Sequence, residues 1–86
     1  MILLARVPKH ILPEHVEPHT IKLRSPDSNV SYLLLRIWFD EMVEWRREHP
    51  ATGRPKWWAI ERRGRERVLH VYPTPDKDYT TVLEKA

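Results

Sequence analysis

The sequence predicts a small α+β domain in which a small antiparallel sheet packs on one long amphipathic helix, and three observations carry that expectation. The first is length: 86 residues suffice for one domain, and a domain of this size buries only about 60 to 65% of the surface its unfolded chain exposes. The second is the stretch 25–50, which opens on Ser-Pro-Asp and closes on Pro50, the punctuation of a helix start and stop. The third is the segment 56–73, KWWAIERRGRERVLHVYP, in which two β-prone runs flank Gly64. Composition agrees with a folded chain: 41% of residues are hydrophobic and 31% charged, and eight prolines against two glycines imply stiff connections.

Residues 1–7 are apolar and end before Pro8, which suits a short first strand. Residues 8–18, PKHILPEHVEP, carry a proline every five positions and no sustained periodicity, so neither a helix nor a central strand is expected there. Residues 20–24, TIKLR, alternate apolar and basic side chains and predict a strand with Ile21 and Leu23 facing inward.

The long helix is expected over 26–49, with Ser25 as its cap. At roughly 100° per residue, Leu34, Leu35, Trp38, Phe39, Met42 and Trp45 share one face, opposite Arg36, Asp40, Glu44 and Arg47. Leu33 and Ile37 fall outside that apolar face. Either the histidine- and proline-rich N-terminal segment covers them, which is the preferred reading, or they form a partner or homodimer contact.

The basic hairpin follows the turn ATGRP. A two-residue loop at Arg63-Gly64 would set Glu61 against Glu66, whereas an odd loop pairs Glu61 with Arg67 and Arg62 with Glu66, so charge favours the odd loop. That register places Ile60, Val68, Trp58 and His70 on one face and Trp57, Ala59, Leu69 and Val71 on the other. Both faces are then partly apolar, so one packs on the helix and the other needs cover or a ligand. In the tail, Thr74 or Asp78 can cap a short helix, with a strand through Thr80, Thr81 and Val82 as the competing reading.

Several functions are disfavoured at once. With no cysteine there is no disulfide, thiolate metal site or thiol nucleophile. The run MILLAR is too short for the apolar core of a signal peptide, and no apolar run reaches membrane-spanning length, so a soluble cytoplasmic protein without membrane contact is expected. His10, His15 and His19, with Glu14 and Glu17 between them, match no metal-site spacing and are read as a solvated loop, so no metal and no cofactor are assigned.

His70 lies among Lys56, Arg65, Arg67 and Tyr72, a grouping that can in principle bind phosphate and move a proton. The hairpin resembles the sheet core of the small RelE-type messenger-RNA-cleaving toxins, and that resemblance implies an arginine-rich sheet that binds RNA. Those toxins place a helical pair before the sheet, where this sequence predicts one long helix. No catalytic pattern carries over residue by residue, and no catalytic residue is assigned.

Positive charge is concentrated on the hairpin: between Arg54 and Arg67, six Lys or Arg against two Glu give +4, above the +3 of the whole chain. Arg54, Lys56, Trp57, Arg62, Arg63, Arg65 and Arg67 are therefore the candidate binding residues. Guanidinium groups grip phosphates and a tryptophan stacks on an unpaired base, which points to a small non-enzymatic protein contacting DNA or RNA. The alternative is a protein-binding inhibitor or regulator, of the kind phages and mobile elements encode, that fits an acidic surface on a nucleic-acid-processing machine.

Overall fold

A computed structural model describes the backbone of residues 2–3, 6–12, 18–28 and 30–85, with side chains described within 6–12, 18–28 and 30–82. Its elements in chain order are β1 (Ile2–Leu3), β2 (Lys9–Leu12), β3 (Pro18–Arg24), β4 (Ser31–Leu33), β5 (Leu35–Arg36), α1 (Phe39–Glu48), β6 (Thr52–Gly53), β7 (Trp57–Arg63), β8 (Glu66–Tyr72), β9 (Thr74–Pro75) and β10 (Thr80–Lys85). The α+β class holds. Instead of one small sheet on a long helix, however, two four-stranded sheets, ordered β1-β10-β3-β4 and β2-β8-β7-β5, stack on each other, and β6 and β9 form a separate parallel pair. Among the described residues, no helix is long and apolar enough to cross a membrane.

The layers follow from which residues alternate. On β7 and β8, Trp58, Leu69 and Val71 point to the other sheet, where they meet Ile21 and Leu23 of β3, Leu34 and Tyr79 in one buried cluster. Ile21 and Leu23 are fully buried, as the alternation of TIKLR requires. Each such side chain contributes roughly 1.5 to 3 kcal/mol on burial, which makes this inter-sheet layer the main source of stability. The opposite face of β7 and β8 carries Ala59 and Tyr72, which close on Met42 of α1 with Ile37, Phe39, Trp45 and Trp57 around them. The face that needed cover is thus covered by a second sheet.

The expected 26–49 helix is corrected to the ten residues of α1. Ser25 and Pro26 open a turn instead of a helix: Ser28 N–H donates to the Ser25 carbonyl at 3.2 Å and Asp27 N–H to Ser25 Oγ at 3.3 Å. Ser-Pro-Asp serves a type I turn as well as a helix start, so local chemistry alone does not decide between them. The chain then runs extended through β4, which pairs with β3, and crosses at buried Leu34 to β5, which pairs parallel with β7. The helix-wheel assignment of Leu35 and Trp38 to the core is likewise corrected, since both are exposed. Leu33 and Ile37, the two residues the wheel could not place, part ways in the structure: Leu33 on β4 is exposed, and Ile37, between β5 and α1, packs against the cluster around Met42.

The hairpin register is also corrected. Its loop is the two-residue Gly64-Arg65, with Arg63 opposite Glu66, Arg62 opposite Arg67 and Ile60 opposite Leu69. Of the two loop residues only Gly64 takes positive φ, 57°, the pattern of a type II′ turn with glycine first. This register opposes two arginines, a penalty of roughly 0.2 to 1 kcal/mol. It also puts Trp58, Ile60, Leu69 and Val71 on one face, and burial at roughly 1.5 to 3 kcal/mol per side chain outweighs that penalty.

In the tail the strand prevails over the helix, because Thr80, Thr81 and Val82 complete the first sheet by pairing with Arg24, Leu23 and Lys22. β2 forms the outer edge beside β8, a place compatible with its flanking prolines.

Candidate functional site

Three features compete for the role of functional site: a buried histidine network, the arginine-bearing end of the hairpin, and an apolar edge along residues 30–38.

His70 on β8 is buried beneath Phe39, with ring centroids 4.7 Å apart. Its Nε2 lies 2.9 Å from Glu61 Oε1 and its Nδ1 2.9 Å from Nη1 of Arg46. An arginine only donates and a carboxylate only accepts, so the neutral ring carries its proton on Nε2 and accepts at Nδ1. Burial is the main force holding the His70 pKa below the ordinary histidine range, against the opposing pull of the Glu61 hydrogen bond. Glu61 is also gripped by Arg63 Nε at 2.9 Å, and the Arg63 and His70 hydrogen bonds hold its carboxyl below the usual carboxylate range. Arg46 reaches on through Nη2 to the carbonyls of Val71 at 3.0 Å and Pro8 at 3.2 Å. The network ties α1, β8 and the N-terminal segment together. A ring sealed under Phe39 with both nitrogens engaged serves structure, which separates His70 from the phosphate-handling group anticipated around it.

The hairpin residues divide between two places. Arg54 and Lys56 precede β7, whereas Arg62, Arg63, Arg65 and Arg67 lie at its far end, and seven strand residues at about 3.3 Å each separate the groups by roughly 20 Å. Arg54 lies over the ring of Tyr32 at 3.7 Å, whose hydroxyl donates to the Pro55 carbonyl at 2.8 Å. Trp57 is half-buried in an edge-on contact with Trp45, centroids 5.1 Å apart, and so belongs to the helix packing. Arg63 is held by Glu61, Arg62 and Arg67 each engage further neighbours, and Arg65 is exposed in the turn. A single Arg/Trp surface is therefore not formed.

The apolar edge comes from the segment that left the expected helix. Val30 is 73% exposed, Leu33 54%, Leu35 61% and Trp38 76%, and all lie on one continuous stretch at the outer strands of both sheets. Ile37, by contrast, turns inward to pack against the Met42 cluster. Arg36, Ile37, Trp38 and Glu41 line an open cleft of about 550 Å³. The described part of the N-terminal segment expected to cover Leu33 and Ile37 pairs with β8 instead, at the opposite edge of the sheet.

Asp40, Glu41, Glu44 and Glu48 are exposed on α1 beside this edge, with Arg47 among them. That acidic rim repels phosphate. Sequence reasoning missed Trp38 because a helical wheel placed it in the core; residues 31–35 read SYLLL, with no polar–apolar alternation to mark a strand, so no local signal set Trp38 outside.

Among the described residues no group of three or more His, Asp or Glu is placed to hold a metal. His10 and His19 sit exposed on β2 and β3, in different sheets, and His15 lies outside the described residues. No family model, curated protein or solved structure matches this chain.

Proposed function

We propose that this chain is a non-enzymatic protein-binding module that docks a protein partner on the apolar edge of residues 30–38. The observation that carries the reading is Trp38, 76% exposed at an open cleft that it lines with Arg36, Ile37 and Glu41. A large aromatic surface kept in water is unfavourable for a free domain, and burying it in an interface recovers that energy. Tryptophan and arginine are the side chains that most often anchor protein interfaces, and Trp38 adjoins Arg36. The acidic rim on α1 supports a protein rather than a nucleic-acid occupant.

The test is capture from nuclease-treated host lysate with wild type, Trp38→Glu, and Arg65→Glu as a charge control. Retention of one stoichiometric protein by wild type and Arg65→Glu, but not by Trp38→Glu, supports the reading. Equal retention by all three refutes it.

Nucleic-acid contact through the hairpin end is the second reading, favoured by the grouping of Arg62, Arg63, Arg65 and Arg67 around the Gly64-Arg65 turn. Its mark is an affinity for DNA or RNA that falls steeply with salt, with a slope reduced by about one on Arg65→Ala. A salt-insensitive interaction removes it.

A further inference from the structure

We propose that the apolar edge is a homodimer interface, in which a second copy of this chain, related by a two-fold axis, seats its Trp38 in the cleft between Arg36 and Glu41 of the first. This rests on the protein-docking reading above and names the partner.

An isologous contact uses one patch twice, so the patch must contain both halves of every interaction. Here it does. The exposed indole of Trp38 stands at the border of the cleft it would fill in the other copy, and Ile37 gives that cleft an apolar floor. The cleft carries one cation and one anion, Arg36 and Glu41. Under a two-fold, Arg36 of each copy meets Glu41 of the other, and a partner bearing only one sign of charge would leave one of the two unmatched. The Arg36 guanidinium is already held 5.0 Å above the Trp58 ring, so its place is set by packing before any partner arrives.

The backbone supplies a third self-matching feature. Leu35 and Ile37 direct their N–H groups to the carbonyls of Lys56 and Trp58, at 3.0 and 2.9 Å. Strand alternation then turns the Arg36 N–H and C=O to the open side. Residues 31–38 contain no proline or lysine, the usual guards of an exposed edge. Two such edges crossing antiparallel near Ile37 place Arg36 of one copy across from Trp38 of the second copy.

Sedimentation velocity on the full chain from low to high micromolar concentration tests this. Wild type is expected to sediment as a dimer, and Trp38→Glu as a folded monomer with its dissociation constant raised about 30-fold or more. Arg36→Glu and Glu41→Arg should each weaken the dimer alone, while an equimolar mixture of the two restores it, since every cross-contact is again between opposite charges. Circular dichroism melts of each variant verify folding, and both charge variants change exposed side chains. A wild type that stays monomeric, a dimer that survives Trp38→Glu, or a mixture no tighter than its components overturns the inference. A monomeric wild type that still captures another protein through Trp38 overturns the homodimer and leaves the docking reading standing; a monomer without Trp38-dependent capture removes both.

Discussion

Strand β7 and the segment 31–38 have much in common as sequences, and the structure treats them in opposite ways. Both are apolar, both carry tryptophan, and they are hydrogen-bonded neighbours through β5. In β7, Trp58 is sealed by the second sheet and Trp57 packs under α1, because a central strand has an occupant on each face. In 31–38 Leu34 and, in part, Tyr32 and Ile37 find cover, and Leu33, Leu35 and Trp38 face outward from the two sheet edges. Exposure is thus decided by what lies next to a strand and not by how apolar the strand is. That contrast separates the tryptophans: Trp57 and Trp58 hold the fold, and Trp38 stands in solvent.

The sharpest way to break the contrast is to truncate one tryptophan of each kind. Trp58→Ala leaves a cavity in the inter-sheet layer and should cost about 3 to 5 kcal/mol, a large part of the stability of so small a domain, measured by denaturant titration. Trp38→Glu should shift stability by no more than about 0.5 kcal/mol while abolishing partner binding. Comparable destabilisation by both would mean that Trp38 is part of the core.

Arg46→Met gives the next effect. It strips the donor from His70 Nδ1 and from the Val71 and Pro8 carbonyls, and a loss of roughly 1 to 3 kcal/mol is expected, read by thermal melting.

The same network makes the covered side of β7 sensitive to acid. The His70 pKa is depressed in the folded state, so the unfolded chain binds the proton more readily, and stability declines as pH falls below the unfolded value of about 6.5. Glu61, also depressed, adds a second loss as pH falls below the ordinary carboxylate range. Melting temperatures from pH 8 to 2 should show both steps, with the first absent in His70→Asn. A flat profile through pH 6 would separate His70 from the stability of this layer.

The smallest expected changes lie at the hairpin tip and the surface. Gly64→Ala forces a side chain into positive φ in open space and should cost roughly 1 to 2 kcal/mol. Asp27→Ala removes the exposed 2.7 Å pair with Lys77 and should cost less than about 1 kcal/mol, and still less at high salt. An effect of several kcal/mol from Asp27→Ala would mean that the surface contributes where the packed layers are argued to dominate.

The elements legible in the sequence are those whose signal is local. TIKLR alternates within five residues and becomes β3 with Ile21 and Leu23 buried. Gly64 lies at the hairpin tip because only glycine takes its φ without strain. Among the described residues of the proline-flanked N-terminal stretch, Lys9–Leu12 form an edge strand, where a missing N–H is tolerated. The composition, the lack of cysteine and the basic hairpin likewise follow from the residues alone.

What tertiary structure decided is whatever depends on a distant neighbour. Ser-Pro-Asp became a turn because the chain beyond it pairs with β3, and the length of α1 followed from that pairing. The hairpin register was settled by which alternate side chains the second sheet buries, a gain larger than that of the charge pairs used to anticipate it. Trp38 came to the surface because β5 occupies an outer edge, a fact of sheet order that no window of sequence contains. Local propensities differ by tenths of a kcal/mol per residue, whereas burial contributes a few kcal/mol per side chain, so where the two disagreed in this chain, burial prevailed.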